Sequence, residues 1–389
     1  ISDVIAGFRE NSRGQLIMAC GTGKTLTGLW IAEQLSARRI LVLVPTLSLV
    51  SQTIREWSAN AKTPFEYCVV CSDETVVSDE AISSTSDLGI PVTTSPEMIS
   101  QFLNNTVGRG IVFCTYQSSD RIAEALSLTK EHFDLSIADE AHRCTGKIGS
   151  SFGTILDSDK IRCNKRLFMT ATPRIFKEHI KKKAGEVDIE IASMDETEQF
   201  GPVFHRLDFS RSVKLGLLSD YQVIVIGVTD GETKKFVKEG AFVRTDDGIT
   251  TDARTLAAQI GLSKAMKKYD LSKVITFHST IAKASRFSSD KPDSFQSVVD
   301  WLPKSAKPSG NLWIRHISGK MPTSQRVVLL NQLKSIEKIG IITNCRCLSE
   351  GVDVPALDGI SFVDSKIILF TKTLFNFKLE ISDCSNFAF

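Results

Sequence analysis

The chain has 389 residues, of which 42% are hydrophobic and 24% are charged, which excludes a disordered protein and predicts two or three globular domains. Its 47 Lys and Arg residues nearly balance its 45 Asp and Glu residues, so net charge gives no argument for a nucleic-acid partner. Because no apolar run approaches the ~18–20 residues of a membrane span and no signal pattern opens the chain, we expect a cytoplasmic protein without membrane contact.

Segments with strand character alternate with helical segments, which is typical of parallel sheets covered by helices. The first series of predicted strands comprises residues 15–19, 40–44, 67–70, 111–115, 135–138 and 166–170. The second series begins with VIVIGV near Tyr221 and continues through residues 273–280, 311–318, 339–344 and 360–364. The sequence therefore predicts two α/β units.

The boundary between the two units is predicted from a stretch of mixed charge that contains Gly201-Pro202. We assign a first domain to residues 1–200, a connection to 201–220, a second domain to 221–364 and an aberrant tail to 365–389.

Nine cysteines are scattered through apolar segments, which favours reduced thiols over a disulfide framework. Cys68-Val-Val-Cys71 has the spacing of zinc ligands, but no second C-x-x-C or histidine pair follows at a useful distance. We therefore interpret this pair, and also Cys345 and Cys347, as core packing, with zinc as the alternative.

The stretch MACGTGKTLTGLW, residues 18–30, lies between the first predicted strand and a helix. Two glycines permit the backbone to curl so that N–H groups point inward, a lysine can reach terminal phosphates, and a threonine hydroxyl can ligate Mg²⁺. The strict phosphate-loop pattern requires a glycine where Met18 stands, so a plain glycine turn is the alternative. The predicted nucleotide-binding residues are Gly21, Thr22, Gly23, Lys24 and Thr25.

A second candidate site follows the strand at residues 135–138, where the chain reads Asp139-Glu140-Ala141-His142. A carboxylate at the tip of a buried parallel strand can hold Mg²⁺, and a second carboxylate beside it can orient or deprotonate an attacking water. We predict that Asp139 and Thr25 bind Mg²⁺ and that Glu140 is the base. A solvated acidic turn is the alternative.

These two motifs belong to an ordered series that resembles superfamily 2 helicases and translocases. Segments similar to the motifs of that family are ACGTGKT (19–25), VPT (44–46), TYQS (115–118), DEAH (139–142), TATP (170–173), ITFHST (275–280) and TNCRCLSEGVDVP (343–355).

The resemblance implies two RecA-like parallel-sheet domains with ATP in the cleft between them and a nucleic-acid strand across their tops. The implied catalytic residues are Lys24, Asp139, Glu140 and His142, and Gly351 and Asp353 would face the nucleotide. Thr170 and Thr172 would couple hydrolysis to movement, although strand-end hydroxyls often only satisfy local backbone groups. The implied nucleic-acid contacts, made to the backbone without reading bases, are Thr46, Thr115, Gln117, Ser279 and Thr343.

Within the superfamily, RGQLIMACGTGKT, DEAHRCTG, MTATPRIF and GLLSDYQVIV look most like the helicase module of type ISP restriction enzymes or related phage-defence proteins. There the motor pulls duplex DNA past a nuclease and a methyltransferase, modules that we expect in an intact relative but do not identify here. A DEAH-type RNA helicase and an ATP-binding switch without productive turnover remain as alternatives, because backbone-contacting hydroxyls do not discriminate DNA from RNA.

The tail departs from the family pattern. The family continues to a helix that reads Q-x-x-G-R-x-x-R and whose arginines reach the γ-phosphate, whereas residues 365–389 contain Lys366, Lys372 and Lys378 but no arginine. Five phenylalanines in this short tail suit no exposed helix, so a frameshift or truncation is the better explanation. We therefore expect a motor fragment that is impaired in ATP hydrolysis.

Overall fold

A computed structural model of the protein describes residues 1–71, 91–147, 151–178, 191–220, 253–319, 321, 323–345 and 357–363. They belong to two compact units, the first comprising Ile1–Asp220 and the second beginning at Tyr221. The predicted strand near Tyr221, the nucleotide residues Gly351 and Asp353, and the tail lie outside the described residues.

The first unit is built on a parallel sheet. Its strands are β1 (Arg13–Met18), β2 (Arg39–Val44), β3 (Glu66–Val70), β4 (Gly110–Thr115), β5 (Phe133–Asp139), β6 (Gly146–Lys147), β7 (Cys163–Thr170), β8 (Ile191–Ala192) and β9 (Val203–Leu207). Seven of them form one sheet in the order β3-β4-β2-β5-β7-β1-β9, in which every pairing is parallel, while β6 and β8 form a small antiparallel pair. All six strands predicted for this half of the chain are confirmed.

Helices connect these strands. They are α1 (Ser2–Glu10), α2 (Lys24–Gln34), α3 (Leu47–Asn60), α4 (Pro96–Asn105), α5 (Ser119–Ser127), α6 (Thr197–Phe200) and α7 (Phe209–Lys214). Local chemistry sets several of their first residues. The Thr46 hydroxyl accepts the Leu49 N–H at the start of α3, and the Ser95 hydroxyl accepts the Met98 N–H at the start of α4, where Pro96 follows the cap.

The core of the first unit lies on both faces of the sheet. Along β2, residues Ile40, Val42 and Val44 pack into one hydrophobic cluster, and Leu41 and Leu43 pack into the other. Alternate side chains of a strand point to opposite faces, so a strand buried on both faces reads as a continuous apolar run. This is why ILVLV was recognisable in the sequence.

Residues 201–220 belong to the first unit in the structure, although the sequence analysis assigned them to a connection. Val203–Leu207 is the edge strand β9, which pairs with β1, and Leu218 lies near the phosphate loop, 3.1 Å from where a Cβ on Gly21 would be. Gly201 has φ +73°, and a Cβ there would lie 2.2 Å from the carbonyl oxygen of Arg13. The turn into β9 therefore requires glycine.

The described part of the second unit is a smaller parallel α/β layer. Its strands are β10 (Lys273–Phe277), β11 (Leu312–Ile317), β12 (Ile339–Asn344) and β13 (Gly359–Phe362), in the order β11-β12-β10-β13. Its helices are α8 (Ala253–Tyr269), α9 (Ile281–Phe287), α10 (Phe295–Trp301) and α11 (Thr323–Ser335). Each strand predicted between residues 273 and 364 is confirmed.

The C-x-x-C pair contributes to packing. Cys71 is 1% exposed and belongs to one core cluster, while Cys68 packs against the other cluster, on the opposite face of the sheet. Within the described ranges, no group of three or more metal-ligating side chains could hold a metal ion, and no disulfide is formed. Among the same residues, no helix is long and apolar enough to cross a membrane.

Candidate nucleotide site

The predicted phosphate loop connects β1 to α2. Gly21 and Gly23 adopt left-handed conformations with φ values of +79° and +84°, which residues with a Cβ rarely adopt. Helix α2 has no side-chain N-cap, and its first internal hydrogen bond runs from Thr27 N–H to the Gly23 carbonyl. The preceding N–H groups at this helix N-terminus are therefore oriented to bind an anion.

The first turn of α2 is held from the core. The indole Nε1 of Trp57, which is 1% exposed on α3, donates a hydrogen bond of 3.0 Å to the carbonyl of Thr25. Lys24 is 9% exposed, and its Nζ lies 3.8 Å from Oε1 of Glu140. The lysine is thus directed toward the DEAH turn and not toward bulk solvent.

The DEAH turn begins where β5 ends. Asp139 is the last residue of β5, and Glu140 takes up a left-handed conformation with φ +51°. This conformation costs a non-glycine residue about 1–2 kcal/mol, so the surrounding contacts must stabilise it. The Glu140 N–H donates to Oδ1 of Asp139 at 2.9 Å, which fixes one carboxylate relative to the turn.

Three neighbouring strands bring the site together. β5, β7 and β1 are consecutive in the sheet, and because they are parallel their carboxyl ends meet at one edge. Lys24, Asp139, Glu140 and Thr170 all follow or end these strands. The sheet therefore places the predicted phosphate, metal and coupling residues side by side.

Positive charge and hydrogen bonding keep Glu140 ionised. Burial raises the pKa of Glu140, but the hydrogen bond from His142 and the charge of Lys24 outweigh it, so the pKa is lowered overall. The His142 Nδ1 lies 3.3 Å from Oε2 of Glu140. Glu140 can therefore accept a hydrogen bond from a water molecule at neutral pH.

The pKa of Asp139 is shifted in the opposite direction to that of Glu140. Burial, followed by the negative charge of Glu140, raises the pKa of Asp139 to about 6, although Lys24 partly offsets this effect. An ionised carboxylate that is only 7% exposed is destabilising unless a cation neutralises it. A nearby cation would therefore stabilise the ionised form of Asp139.

Because the pKa of Asp139 is raised, we expect the Asp139→Asn substitution to stabilise the fold at neutral pH. The native pKa of about 6 lies above the usual 3.8, so the native state binds more protons than the unfolded state between these values, and the free energy of unfolding falls as pH rises from about 4 to 6. At ~1.4 kcal/mol per pKa unit, the neutral amide gains at most ~3 kcal/mol at pH 7.5. Urea unfolding at pH 7.5 and pH 4.5 without divalent cations measures this gain, which should shrink at the lower pH.

The control for this prediction is Asp159→Asn, because Asp159 is an exposed carboxylate of the same unit. We expect its free energy of unfolding to change by less than about 0.5 kcal/mol at both pH values. A loss of stability in Asp139→Asn at pH 7.5, or a gain that is equal at both pH values, would contradict the assignment.

The predicted coupling residues contact the DEAH turn. Oγ1 of Thr170, which is fully buried at the end of β7, lies 3.0 Å from Nδ1 of His142 and accepts the N–H of Thr172 at 3.1 Å. The hydroxyl of Thr170 therefore accepts a hydrogen bond from the backbone of its own turn and also contacts the side chain of His142. This geometry agrees with a role of Thr170 in coupling hydrolysis to movement and also with a purely local structural role.

The predicted nucleic-acid residues are spread over both units. In the first unit, Thr46 caps α3, Thr115 is fully buried with its hydroxyl 3.2 Å from that of Ser118, and Gln117 is partly buried with an Oε1 that accepts no hydrogen bond from the described residues. In the second unit, Ser279 precedes α9, and Thr343 is fully buried and donates to the Ala284 carbonyl at 2.8 Å.

Two contacts at the site were not predicted. Trp57 holds the first turn of α2, and the hydroxyl of Tyr116 donates to the carbonyl of Asp139 at 2.6 Å. Tyr116 lies within the TYQS segment that the sequence analysis quoted, so its position was indicated although its role was not. Nothing in the sequence near Trp57 indicates the contact, because Thr25 lies far away along the chain.

The chain is similar to a family of restriction enzymes and to viral helicases. Residues 1–175 match the family model described as type III restriction enzyme, res subunit. The probable helicase A859L of African swine fever virus is 26% identical over 361 residues, which are 91% of this chain and 35% of that protein. The chain thus spans about a third of the curated relatives that it matches.

Two solved structures have a similar fold. The ATP-dependent type ISP restriction-modification enzyme LlaBIII, bound to DNA, is 32% identical with a TM-score of 0.77, covering 93% of this chain and 25% of that one. A nuclease-deletion mutant of the type ISP enzyme LlaGI, in complex with a DNA substrate mimic, is 28% identical with a TM-score of 0.63, covering 93% and 24%. The two parallel-sheet units are therefore RecA-like, and the chain is a superfamily 2 helicase-like protein that carries the res-subunit domain at residues 1–175.

Proposed function

We propose that this chain is the ATP-dependent motor part of a translocase that acts on duplex DNA in a restriction or phage-defence system. The observation that carries the proposal is the convergence of Lys24, Asp139 and Glu140 at one edge of a parallel sheet, beside a phosphate loop. Such an arrangement hydrolyses nucleoside triphosphates by positioning and charge. The similarity to two DNA-bound type ISP enzymes over 93% of this chain supports DNA as the track.

The loop residues fit the phosphates of ATP. Gly21 and Gly23 hold the left-handed curl, Thr22 closes it by donating from its hydroxyl to the Ala19 carbonyl at 2.6 Å, and Lys24 supplies a positive charge. N–H groups at the start of α2 supply further donors. Gly351 and Asp353 are proposed as additional contacts on the basis of the family pattern alone.

The donor set also fits Mg²⁺. The hydroxyl of Thr25 and the carboxylate of Asp139 are hard oxygen ligands, which Mg²⁺ prefers. When bound, the ion neutralises charge on the terminal phosphates. The contribution of the chain itself is to hold Asp139 through the Glu140 N–H and to present Glu140, ionised, to a water molecule.

Nucleic-acid contacts are proposed at Thr46, Thr115, Gln117, Ser279 and Thr343. Of these, Gln117 is partly buried, and its amide NH₂ group is a donor that backbone phosphate oxygens can accept. Thr46 and Ser279 would contact backbone oxygens through their hydroxyls, so binding should tolerate any sequence. The hydroxyls of Thr115 and Thr343 already donate to Ser118 and to the Ala284 carbonyl, so they would have to exchange those hydrogen bonds.

Competition binding tests the proposed track. With a labelled duplex DNA and a non-hydrolysable ATP analogue with Mg²⁺, we expect unlabelled duplex DNA to compete better than duplex RNA of equal length, as measured by fluorescence anisotropy. Two unrelated DNA sequences serve as the control and should compete equally. Equal or better competition by RNA would favour a DEAH-type RNA helicase instead.

Further parts of the proposal concern the whole protein. Because the type ISP relatives are restriction-modification enzymes and are about four times as long as this chain, we propose that nuclease and methyltransferase modules accompany the motor in an intact relative. We also propose a cytoplasmic location, where reduced cysteines and DNA coexist. Hydrolysis by this chain is proposed to be impaired, since no arginine stands between residues 365 and 389.

A further inference from the structure

Tyr116 connects two predicted motifs within the first unit. It begins the short 3₁₀ turn Tyr116–Ser118 after β4, is fully buried, and stacks its ring on Phe152 with centroids 5.7 Å apart and an interplanar angle of 23°. Its hydroxyl donates to the backbone carbonyl of Asp139 at 2.6 Å. The residue after it is Gln117, a proposed nucleic-acid contact.

This hydrogen bond joins elements that the sheet keeps apart. β4 and β5 are not neighbours, because β2 lies between them. At the usual strand spacing of ~4.8 Å, their carboxyl ends are roughly 10 Å apart, which the backbone cannot bridge. The side chain of Tyr116 spans this distance across the end of β2.

The acceptor of this hydrogen bond belongs to the peptide unit between the proposed metal ligand and the proposed base. The carbonyl of that unit accepts from Tyr116, and its N–H, which belongs to Glu140, donates to Oδ1 of Asp139 at 2.9 Å. Both ends of a single peptide group are therefore held. Since Glu140 is in a left-handed conformation, a rotation of this group would move both carboxylates.

We propose that Tyr116 is a positioning residue that couples nucleic-acid binding at the neighbouring Gln117 to the geometry of Asp139 and Glu140. The inference rests on the proposed function. A nucleic acid that contacts Gln117 displaces the turn, and the buried ring of Tyr116 transmits the displacement to the peptide group that carries the two carboxylates. Because coupling of two binding equilibria is reciprocal, bound nucleotide must change DNA affinity by the same factor.

The test is the linkage between nucleotide and DNA in Tyr116→Phe, which removes the hydroxyl and keeps the ring. Duplex DNA affinity is measured with and without a non-hydrolysable ATP analogue and Mg²⁺, so no hydrolysis is required. In the parent we expect the two affinities to differ by about 5- to 150-fold, which is typical of coupled sites. In Tyr116→Phe we expect this ratio to fall toward one, while each ligand alone binds within about threefold of the parent.

Tyr67→Phe is the matched control, because Tyr67 lies on β3 of the same unit, is 41% exposed and stands apart from the DEAH turn. It should keep the parental ratio. Phe152→Leu is the second variant, since it loosens the ring of Tyr116 without removing the hydroxyl, and it should also lower the ratio. If Tyr116→Phe does not fold, as judged by thermal melting, Phe152→Leu decides the question.

The outcomes separate this inference from the proposed function. A parent that binds neither nucleotide nor duplex DNA overturns both. A parent that binds both ligands independently overturns only the coupling role. A parental ratio that is kept in Tyr116→Phe and in Phe152→Leu overturns the assignment to Tyr116, and leaves the proposed motor unaffected.

Discussion

Lys24→Ala is expected to weaken ATP binding by roughly 10- to 150-fold, the equivalent of about 1.5–3 kcal/mol for a charged hydrogen-bonding group. Lys24 is the first residue of α2, is 9% exposed and lies 3.8 Å from Glu140, so its ammonium group is already directed toward the edge where the phosphates would bind. Truncation to alanine removes the only side-chain cation of the predicted phosphate loop, residues 19–25. Isothermal titration calorimetry with Mg·ATP measures the change.

Lys130→Ala is the control, because Lys130 is exposed and lies away from the loop in the same unit. It should bind ATP like the parent. We expect Lys24→Ala to keep its fold, since the indole of Trp57 bonds to the backbone of Thr25 and not to the lysine side chain. Nucleotide affinity that is unchanged in Lys24→Ala, with thermal melting that shows an intact fold, would refute the phosphate-loop assignment.

If hydrolysis is impaired as proposed, supplying the arginine motif of the family is expected to have the largest effect on turnover. Placing Q-x-x-G-R-x-x-R after Asp364 should raise DNA-stimulated ATP hydrolysis by about 10³–10⁵-fold, because arginine fingers stabilise charge that develops on the transferred phosphoryl group. ATP binding should change little, since Gly21, Gly23 and Lys24 all lie in the first unit. Steady-state phosphate release with and without duplex DNA measures the gain.

Two controls make this experiment specific. The same insertion with both arginines replaced by alanine should leave turnover at the level of the parent. Adding Glu140→Gln to the restored chain should remove about 10²–10⁴-fold of the turnover while Mg·ATP stays bound, because the amide keeps the shape of glutamate but cannot accept a proton. Rapid DNA-stimulated turnover by the unaltered chain would mean that another arginine, such as Arg326 or Arg346, supplies the finger.

The amino-acid sequence by itself determined most of the sheet in the first unit. Strands such as β2 and β4 are buried on both faces, so they read as continuous apolar runs and could be located without knowledge of their partners. The turn of the predicted phosphate loop could also be located from the sequence, because its left-handed conformations at Gly21 and Gly23 favour glycine. Local conformational demands of this kind depend on a few consecutive residues.

The edge strand β9 was decided by tertiary structure. Val203–Leu207 is only partly buried for most of its length and lacks an apolar run, so its sequence did not indicate a strand. It pairs with β1, almost two hundred residues earlier in the chain, and Gly201 is needed because the Arg13 backbone passes so close to it. A strand whose stability comes from a distant partner leaves little trace in its own residues.

The contacts that hold the site together were likewise settled only by the fold. The sequence located Asp139 and Glu140 as an acidic pair after a strand, but it could not show that Tyr116 reaches across β2 to the peptide group between them, or that Trp57 supports the first turn of α2. Those hydrogen bonds depend on strand order and helix packing, which bring together residues 23 and 32 positions apart. Short motifs indicate which chemical groups a site contains. The positions of those groups depend on the packing of helices and strands that lie far apart in the sequence.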